Sequence, residues 1–179
     1  NKGYGNAVTT SRDVTDRAYA CQVLLSLCET VGMRLRRDGQ AGSCVTIQLR
    51  TSEFETWSHQ MRLASATNVT GELYQAACSL LDQTWDRKTP LRQLGVSVTQ
   101  LADGTLRQYS LFDAADYARQ EKLDTAVDAL REKFGEGALF RAALLHSDER
   151  MAGGLHKKRR TGITKPIEDE AARIRKKYG

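Results

Sequence analysis

Cys44-Val45-Thr46-Ile47-Gln48-Leu49-Arg50 alternates apolar and polar residues with period two, putting Val45, Ile47 and Leu49 on one side and Thr46, Gln48 and Arg50 on the other. Successive side chains of a strand point to opposite faces, so this pattern describes a strand buried on one face and wet on the other. After a short turn at Thr51-Ser52-Glu53, the stretch 54–63 repeats it. There Trp57, Met61 and Leu63 share one face, and Thr56, Ser58, Gln60 and Arg62 share the other. Two such strands across a short turn form a hairpin. Farther out, Leu94, Val96 and Val98 alternate with Gly95, Ser97 and Thr99, and residues 4–10 form a short β-leaning stretch.

Two helical patterns separate these strands. From Asp13 to Arg37 the apolar positions Ala20, Val23, Leu24, Leu27, Cys28, Val31 and Leu35 recur at three and four residues. Asp13, Thr15 and Asp16 offer N-terminal caps, while Arg34, Arg36 and Arg37 suit the negative end of the helix dipole and Gly39 lies just beyond. Residues 69–86 carry Leu73, Ala76, Ala77, Leu80, Leu81 and Trp85 at helical spacing, with Thr67 or Asn68 in position to cap. The order β-α-β-β-α-β predicts an α+β fold, a four-stranded sheet with two helices on one face. A helical C-terminal extension follows. The apolar positions Tyr117, Leu123, Ala126, Val127, Leu130 and Phe134 predict one helix over 114–134, with a shorter segment at 139–145, packed either on a neighbouring domain or on its own chain.

The chain of 179 residues holds 27 Lys+Arg against 22 Asp+Glu, a net charge of +5, unevenly spread. Residues 1–101 sum to +2, 102–150 to −3 and 151–179 to +6. No stretch approaches the roughly 18 uncharged apolar residues that span a bilayer, so no membrane partner is expected. Cys21, Cys28, Cys44 and Cys78 have no C-x-x-C spacing and no histidine at metal-ligand distance in sequence, which suits buried small hydrophobes in a reducing, cytoplasmic compartment. The chain opens at Asn1 close to a strand pattern, as a piece of a longer protein would.

The outward positions of the strands carry the chemistry. They are Thr9, Thr46, Gln48, Arg50, Thr56, Ser58, Gln60, Arg62, Ser97 and Thr99, small hydrogen-bonding groups and two arginines without a carboxylate. A solvated sheet face usually mixes Glu with Lys, so this composition suits a polyanion backbone. An ordinary wet antiparallel sheet with β-favouring threonines would look similar.

The stretches Gly5-Asn6-Ala7-Val8-Thr9-Thr10, Arg12-Asp13-Val14-Thr15-Asp16-Arg17, Val45-Thr46-Ile47-Gln48-Leu49-Arg50 and Leu94-Gly95-Val96-Ser97-Val98 resemble the C-terminal little-finger, or polymerase-associated, domain of Y-family DNA polymerases. The resemblance is to the DNA polymerase IV group, which copies past damaged templates. Glu121-Lys122-Leu123-Asp124 and Ala129-Leu130-Arg131-Glu132-Lys133-Phe134-Gly135 resemble the extension of Gram-positive bacterial members. The resemblance implies a sheet whose open face lies in the major groove and holds template and primer phosphates without reading sequence. The implied DNA contacts are Thr9, Thr10, Gln48, Arg50, Ser58, Gln60, Arg62, Ser97 and Thr99. It also implies a parent nucleotidyltransferase whose palm-domain carboxylates hold two Mg²⁺ ions. No palm pattern is present here, Asp103, Asp113 and Asp116 read as solvated charges, and no cofactor or catalytic residue is expected in this chain alone.

Gln108-Tyr109-Ser110-Leu111-Phe112 resembles the bacterial sliding-clamp-binding pentapeptide, departing from it at Tyr109. In such a peptide Leu111 and Phe112 fill an apolar cleft while Gln108 fixes orientation. The expected organisation is thus a DNA-binding domain over 1–101, a linker with the clamp motif over 102–113, a helical extension over 114–150 and a basic tail over 151–179. The expected partners are primer–template DNA, the sliding clamp and the parent's catalytic core. Two rivals share parts of this pattern. A ferredoxin-like RNA-binding module needs aromatic platforms on the central strands, and a clamp adaptor would use 108–112 without touching DNA.

Overall fold

A computed structural model describes residues 2–104, 114–135 and 137–144. Strand β1 (Gly3–Val14) leads into helix α1 (Arg17–Arg37), hairpin strands β2 (Gln40–Thr51) and β3 (Thr56–Thr67), helix α2 (Thr70–Thr84), strand β4 (Leu91–Asp103) and helix α3 (Ala114–Phe134). A single 3₁₀ turn follows at Ala142–Leu144. The expected α+β order is present, with strands longer than the alternation alone marks out.

All neighbouring strands run antiparallel in the order β1-β4-β2-β3. The period-two pattern of β2 survives as geometry. Val45, Ile47 and Leu49 are buried, and with Leu94, Val96 and Val98 of β4 they form the floor of the core. Leu24, Leu27, Val31 and Leu35 of α1 and Leu73, Ala77, Leu80 and Leu81 of α2 cover that floor. Both helices therefore lie on one face, and the other face is open.

Helix α1 begins where its sequence says it should: Asp16 is the N-cap and its carboxylate accepts from the Tyr19 amide at 2.8 Å. Gly39, at φ +63°, turns the chain out of α1 into β2 in a left-handed conformation that costs glycine little. The Tyr4 hydroxyl donates to Asp38 at 2.7 Å, tying the start of β1 to the end of α1 and holding the Asp38 carboxyl below the usual carboxylate range.

Helix α2 departs from expectation at its N-terminus. The N-cap is Val69, which makes no side-chain cap, while Thr67 accepts from the Val69 amide and Asn68 donates to the Gln40 carbonyl. The carboxylate that meets the first amide of the helix, Thr70 N–H at 2.8 Å, comes from Asp124 on α3. A negative group there also complements the positive end of the helix dipole.

Helix α3 packs on its own chain, one of the two placements the sequence leaves open, and it does so through polar residues. The residues it turns inward are Tyr117, Asp124, Asp128 and Arg131, whereas Leu123, Leu130 and Phe134 are exposed. The surface it meets on α1 is charged. Arg36 donates to Asp128 at 2.6 Å and Asp124 at 3.2 Å, and Arg131 donates to the buried Glu29 at 3.1 Å. Arg141, just beyond α3, donates to both Glu29 and Asp124. Buried charges are tolerated when each has opposite partners and hydrogen bonds, as here.

Candidate nucleic-acid interface

The strand register arranges the open face into four cross-strand rows. Ordered from β1 to β3 they are Gly3/Thr99/Cys44/Arg62, Gly5/Ser97/Thr46/Gln60, Ala7/Gly95/Gln48/Ser58 and Thr9/Gln93/Arg50/Thr56. None of these positions is acidic. Glu53 and Glu55 lie in the turn outside the ladder, since the hairpin pairing starts at Arg50↔Thr56. Arg50 and Arg62 sit at opposite ends of the face, six residues apart along the strands, or about 20 Å. Two cations so spaced can engage two different phosphates.

Thr9, Gln48, Ser58, Gln60 and Arg62 are exposed, and Arg50, Ser97 and Thr99 are half-buried on the same face. Thr10 is not with them. It is 2% exposed, points to the helical side, and donates its hydroxyl to the Arg92 carbonyl at 3.1 Å. Adjacent residues of an extended strand cannot share a face, so the grouping of Thr9 with Thr10 is corrected to Thr9 alone. Two members the sequence reading passed over are Gln93 and the small floor between the rows. Continuing the β4 alternation one step back from Gly95 would have found Gln93.

That floor is a shallow trough of ≈ 450 Å³ lined by Gly5, Ala7, Thr46, Gln48, Gly95 and Ser97, among others. A Cβ placed on Gly95 would stand 3.2 Å from the Ala7 Cβ and 3.5 Å from the Gln48 Cβ, so a larger side chain would fill the trough. Small residues here let another backbone approach closely. As an edge strand, β1 also presents outward main-chain groups along one side of the trough.

Arg50 is held in an unusual way. Its guanidinium stacks under the ring of Phe54 at 4.8 Å, and its Nε is buried without a hydrogen-bond partner. Phe54 is 72% exposed and sits at φ +69°, a conformation that strains a non-glycine residue. Stacking on the ring fixes the plane of the guanidinium fork. No aromatic spacing in the sequence marks this pair, because the hairpin turn creates it.

The central strands β4 and β2 carry no aromatic residue. Trp57 packs against the core from edge strand β3, and Phe54 is in the turn. The paired stacking platform that an RNA-binding sheet needs is therefore missing from the positions that would hold it. The pentapeptide 108–112 and the basic tail lie outside the described residues. Among the described residues no three His, Cys, Asp or Glu side chains converge into a metal site, and no helix is long and apolar enough to cross a membrane.

The domain is a two-layer α+β fold whose open sheet face has no acidic residue in its four rows and an arginine at each end. The chain belongs to the impB/mucB/samB family, whose C-terminal domain matches residues 1–111. It is similar to DNA polymerase IV of Clostridium acetobutylicum, 34% identical over 149 residues that make up 83% of this chain and 37% of that protein. It is similar also to DNA polymerase IV 2 of Bacillus subtilis, 35% identical over 148 residues, 80% of this chain and 35% of that protein. The chain thus spans a little over a third of the length of the curated relatives it matches. Among solved structures, the little finger domain of PolIV in complex with the β-clamp processivity factor aligns with a TM-score of 0.44 at 17% identity, over 61% of this chain and 97% of that one. DinB from Sulfolobus solfataricus aligns at 0.42 and 15%, over 54% and 28%.

Proposed function

We propose that this chain is the duplex-gripping C-terminal part of a bacterial, cytoplasmic translesion DNA polymerase, which docks a sliding clamp through Gln108-Tyr109-Ser110-Leu111-Phe112. The observation that carries the DNA-binding half is the acid-free face, four rows deep, with an arginine at each end. Arg50 and Arg62 supply charge-assisted contacts to two phosphates, while Thr9, Ser58, Ser97 and Thr99 hydroxyls and the Gln48 and Gln60 amides fix register. None of this depends on which bases are present, so the grip tolerates any sequence and a distorted template. The Mg²⁺-dependent phosphoryl chemistry that family membership suggests for the whole protein belongs to carboxylates outside this set of residues. The share of that work assigned to 1–101 is holding the primer–template in place.

A salt titration with primer–template duplex and single-stranded RNA of equal length tests this. Duplex is expected to bind more tightly, with a log–log salt slope set by the phosphates engaged, about −0.9 for each. Equal or tighter binding of RNA would count against the proposal. The clamp half rests on the pentapeptide and on its position directly after the sheet domain. Leu111→Ala with Phe112→Ala is expected to lower clamp affinity at least about 30-fold, since apolar anchors of this kind cost ~2 kcal/mol or more on truncation. Unchanged capture of the chain on immobilised clamp would rule the motif out.

A further inference from the structure

The helical side of the domain holds a second cluster of reactive groups that the sheet face does not use. Cys21 on α1 and Cys78 on α2 meet with their sulfurs 3.4 Å apart, the Cys78 thiol donating to Cys21. Arg17, one turn before Cys21, is fixed across the helix pair by Asp82, which accepts from Nε at 2.6 Å and from Nη2 at 2.7 Å. A guanidinium is thereby held close to the Cys21 sulfur. The hydrogen bond from Cys78, with help from Arg17 and against the effect of burial, brings the Cys21 thiol down to about 7.

Access is provided at Cys78, which is half-buried and borders a shallow cavity of ≈ 500 Å³ shared with Arg17, Tyr74, Ser79 and Asp82. The other two cysteines are differently placed. Cys28 is fully buried and burial pushes its thiol up, and Cys44 is covered within the opposite side of the sheet. Reactivity follows thiolate character together with access, and only the Cys21–Cys78 pair combines them with a second sulfur in contact.

We propose that Cys21 and Cys78 form a redox-modification site, a dithiol that a small hydroperoxide converts into a disulfide joining α1 to α2. Cys78, the sulfur that opens to the cavity, passes its proton to the Cys21 sulfur that accepts its hydrogen bond and attacks the terminal peroxide oxygen, forming the sulfenic acid and expelling an alkoxide or hydroxide that takes up a proton. Cys21 then attacks the Cys78 sulfur, forming the S–S bond and releasing the sulfenic oxygen as water. Two thiols are oxidised by two electrons, and one hydroperoxide is reduced to an alcohol, or water, plus water. The sulfurs need only close from 3.4 Å to a bond of about 2.05 Å, within reach of side-chain torsions. Because the bond joins residues 57 apart in sequence, it restricts the unfolded chain strongly and stabilises the helical layer.

The test uses the full chain. It is treated with stoichiometric hydrogen peroxide, quenched, denatured, and its remaining thiols alkylated before mass analysis. The expected result is two alkylated cysteines instead of four, with tryptic peptide Ala18–Arg34 joined to Leu63–Arg87 through Cys21 and Cys78. The oxidised chain is expected to melt about 10 °C higher than the reduced one, reversibly with dithiothreitol. Cys78→Ser, a near-isosteric change at a half-buried site, is expected to abolish the loss of two thiols. Four alkylated cysteines after peroxide, a bond through Cys28 or Cys44, or a loss of two thiols that persists in Cys78→Ser would each overturn the proposal.

Discussion

Replacing both arginines of the open face, Arg50→Ala with Arg62→Ala, is expected to weaken binding to primer–template duplex about 100-fold and to flatten its salt dependence by about two units of log–log slope. The two side chains lie three rows apart on neighbouring strands, so under the proposed grip each is expected to meet its own phosphate and their effects to add. The loss is expected to be the same for unrelated duplex sequences, because phosphate contacts carry no base information. Arg50→Lys is not expected to rescue, since lysine keeps the charge but loses both the planar fork and the stack on Phe54. Fluorescence anisotropy over a range of salt reads all of this. A double variant with the slope of the unaltered chain would remove the face from the binding site.

The second large effect is expected from Asp124→Ala. One carboxylate here serves three donors from three segments: the Thr70 amide that opens α2, Arg36 on α1, and Arg141 beyond α3. Its side chain is 6% exposed and that of Arg36 is 9% exposed, so the charges left behind are poorly solvated. Removing one partner of a buried ion pair typically costs about 3–5 kcal/mol. Since Arg36 keeps Asp128 and the Asn68 carbonyl, the lower end of that range is expected, about 3 kcal/mol in denaturant unfolding. Hydrogen exchange is expected to rise at the Thr70 amide and along α3 while the sheet stays protected. Unchanged exchange at both would mean that the network does not hold the extension.

Much of the sheet domain is legible in the residues, for a definite reason. An antiparallel sheet wet on one side imposes a period-two pattern, and β2 and β4 carry it without a break through Val45–Arg50 and Leu94–Thr99. The Asp16 cap was equally visible because it acts three residues away. What stayed hidden acts at long range. Nothing near Thr70 announces that its cap comes from a residue 54 positions downstream. The packing partner of α3 stayed open because helical spacing marks only apolar contacts, and α1 offers Arg36 and Glu29 instead. Thr10 illustrates a simpler failure, a resemblance that carried two neighbouring threonines where alternation admits one. Strand neighbours were hidden as well, and they bear on function. The order β1-β4-β2-β3 puts strands without aromatics in the middle, which separates this sheet from an RNA-stacking platform.

That same strand order sets a timetable for folding. The β2–β3 hairpin pairs residues close in sequence and can form early, but β1 has one partner, β4, and meets it with Gly3 opposite Thr99. Until the last strand is available, the first has no ladder to join and half the core floor is absent. Closure of the sheet then brings together residues nearly a hundred positions apart, a long-range contact pattern that slows folding. During synthesis β1 would wait for β4, while cutting the chain before Leu91 would leave a hairpin and two helices without the strand that joins them.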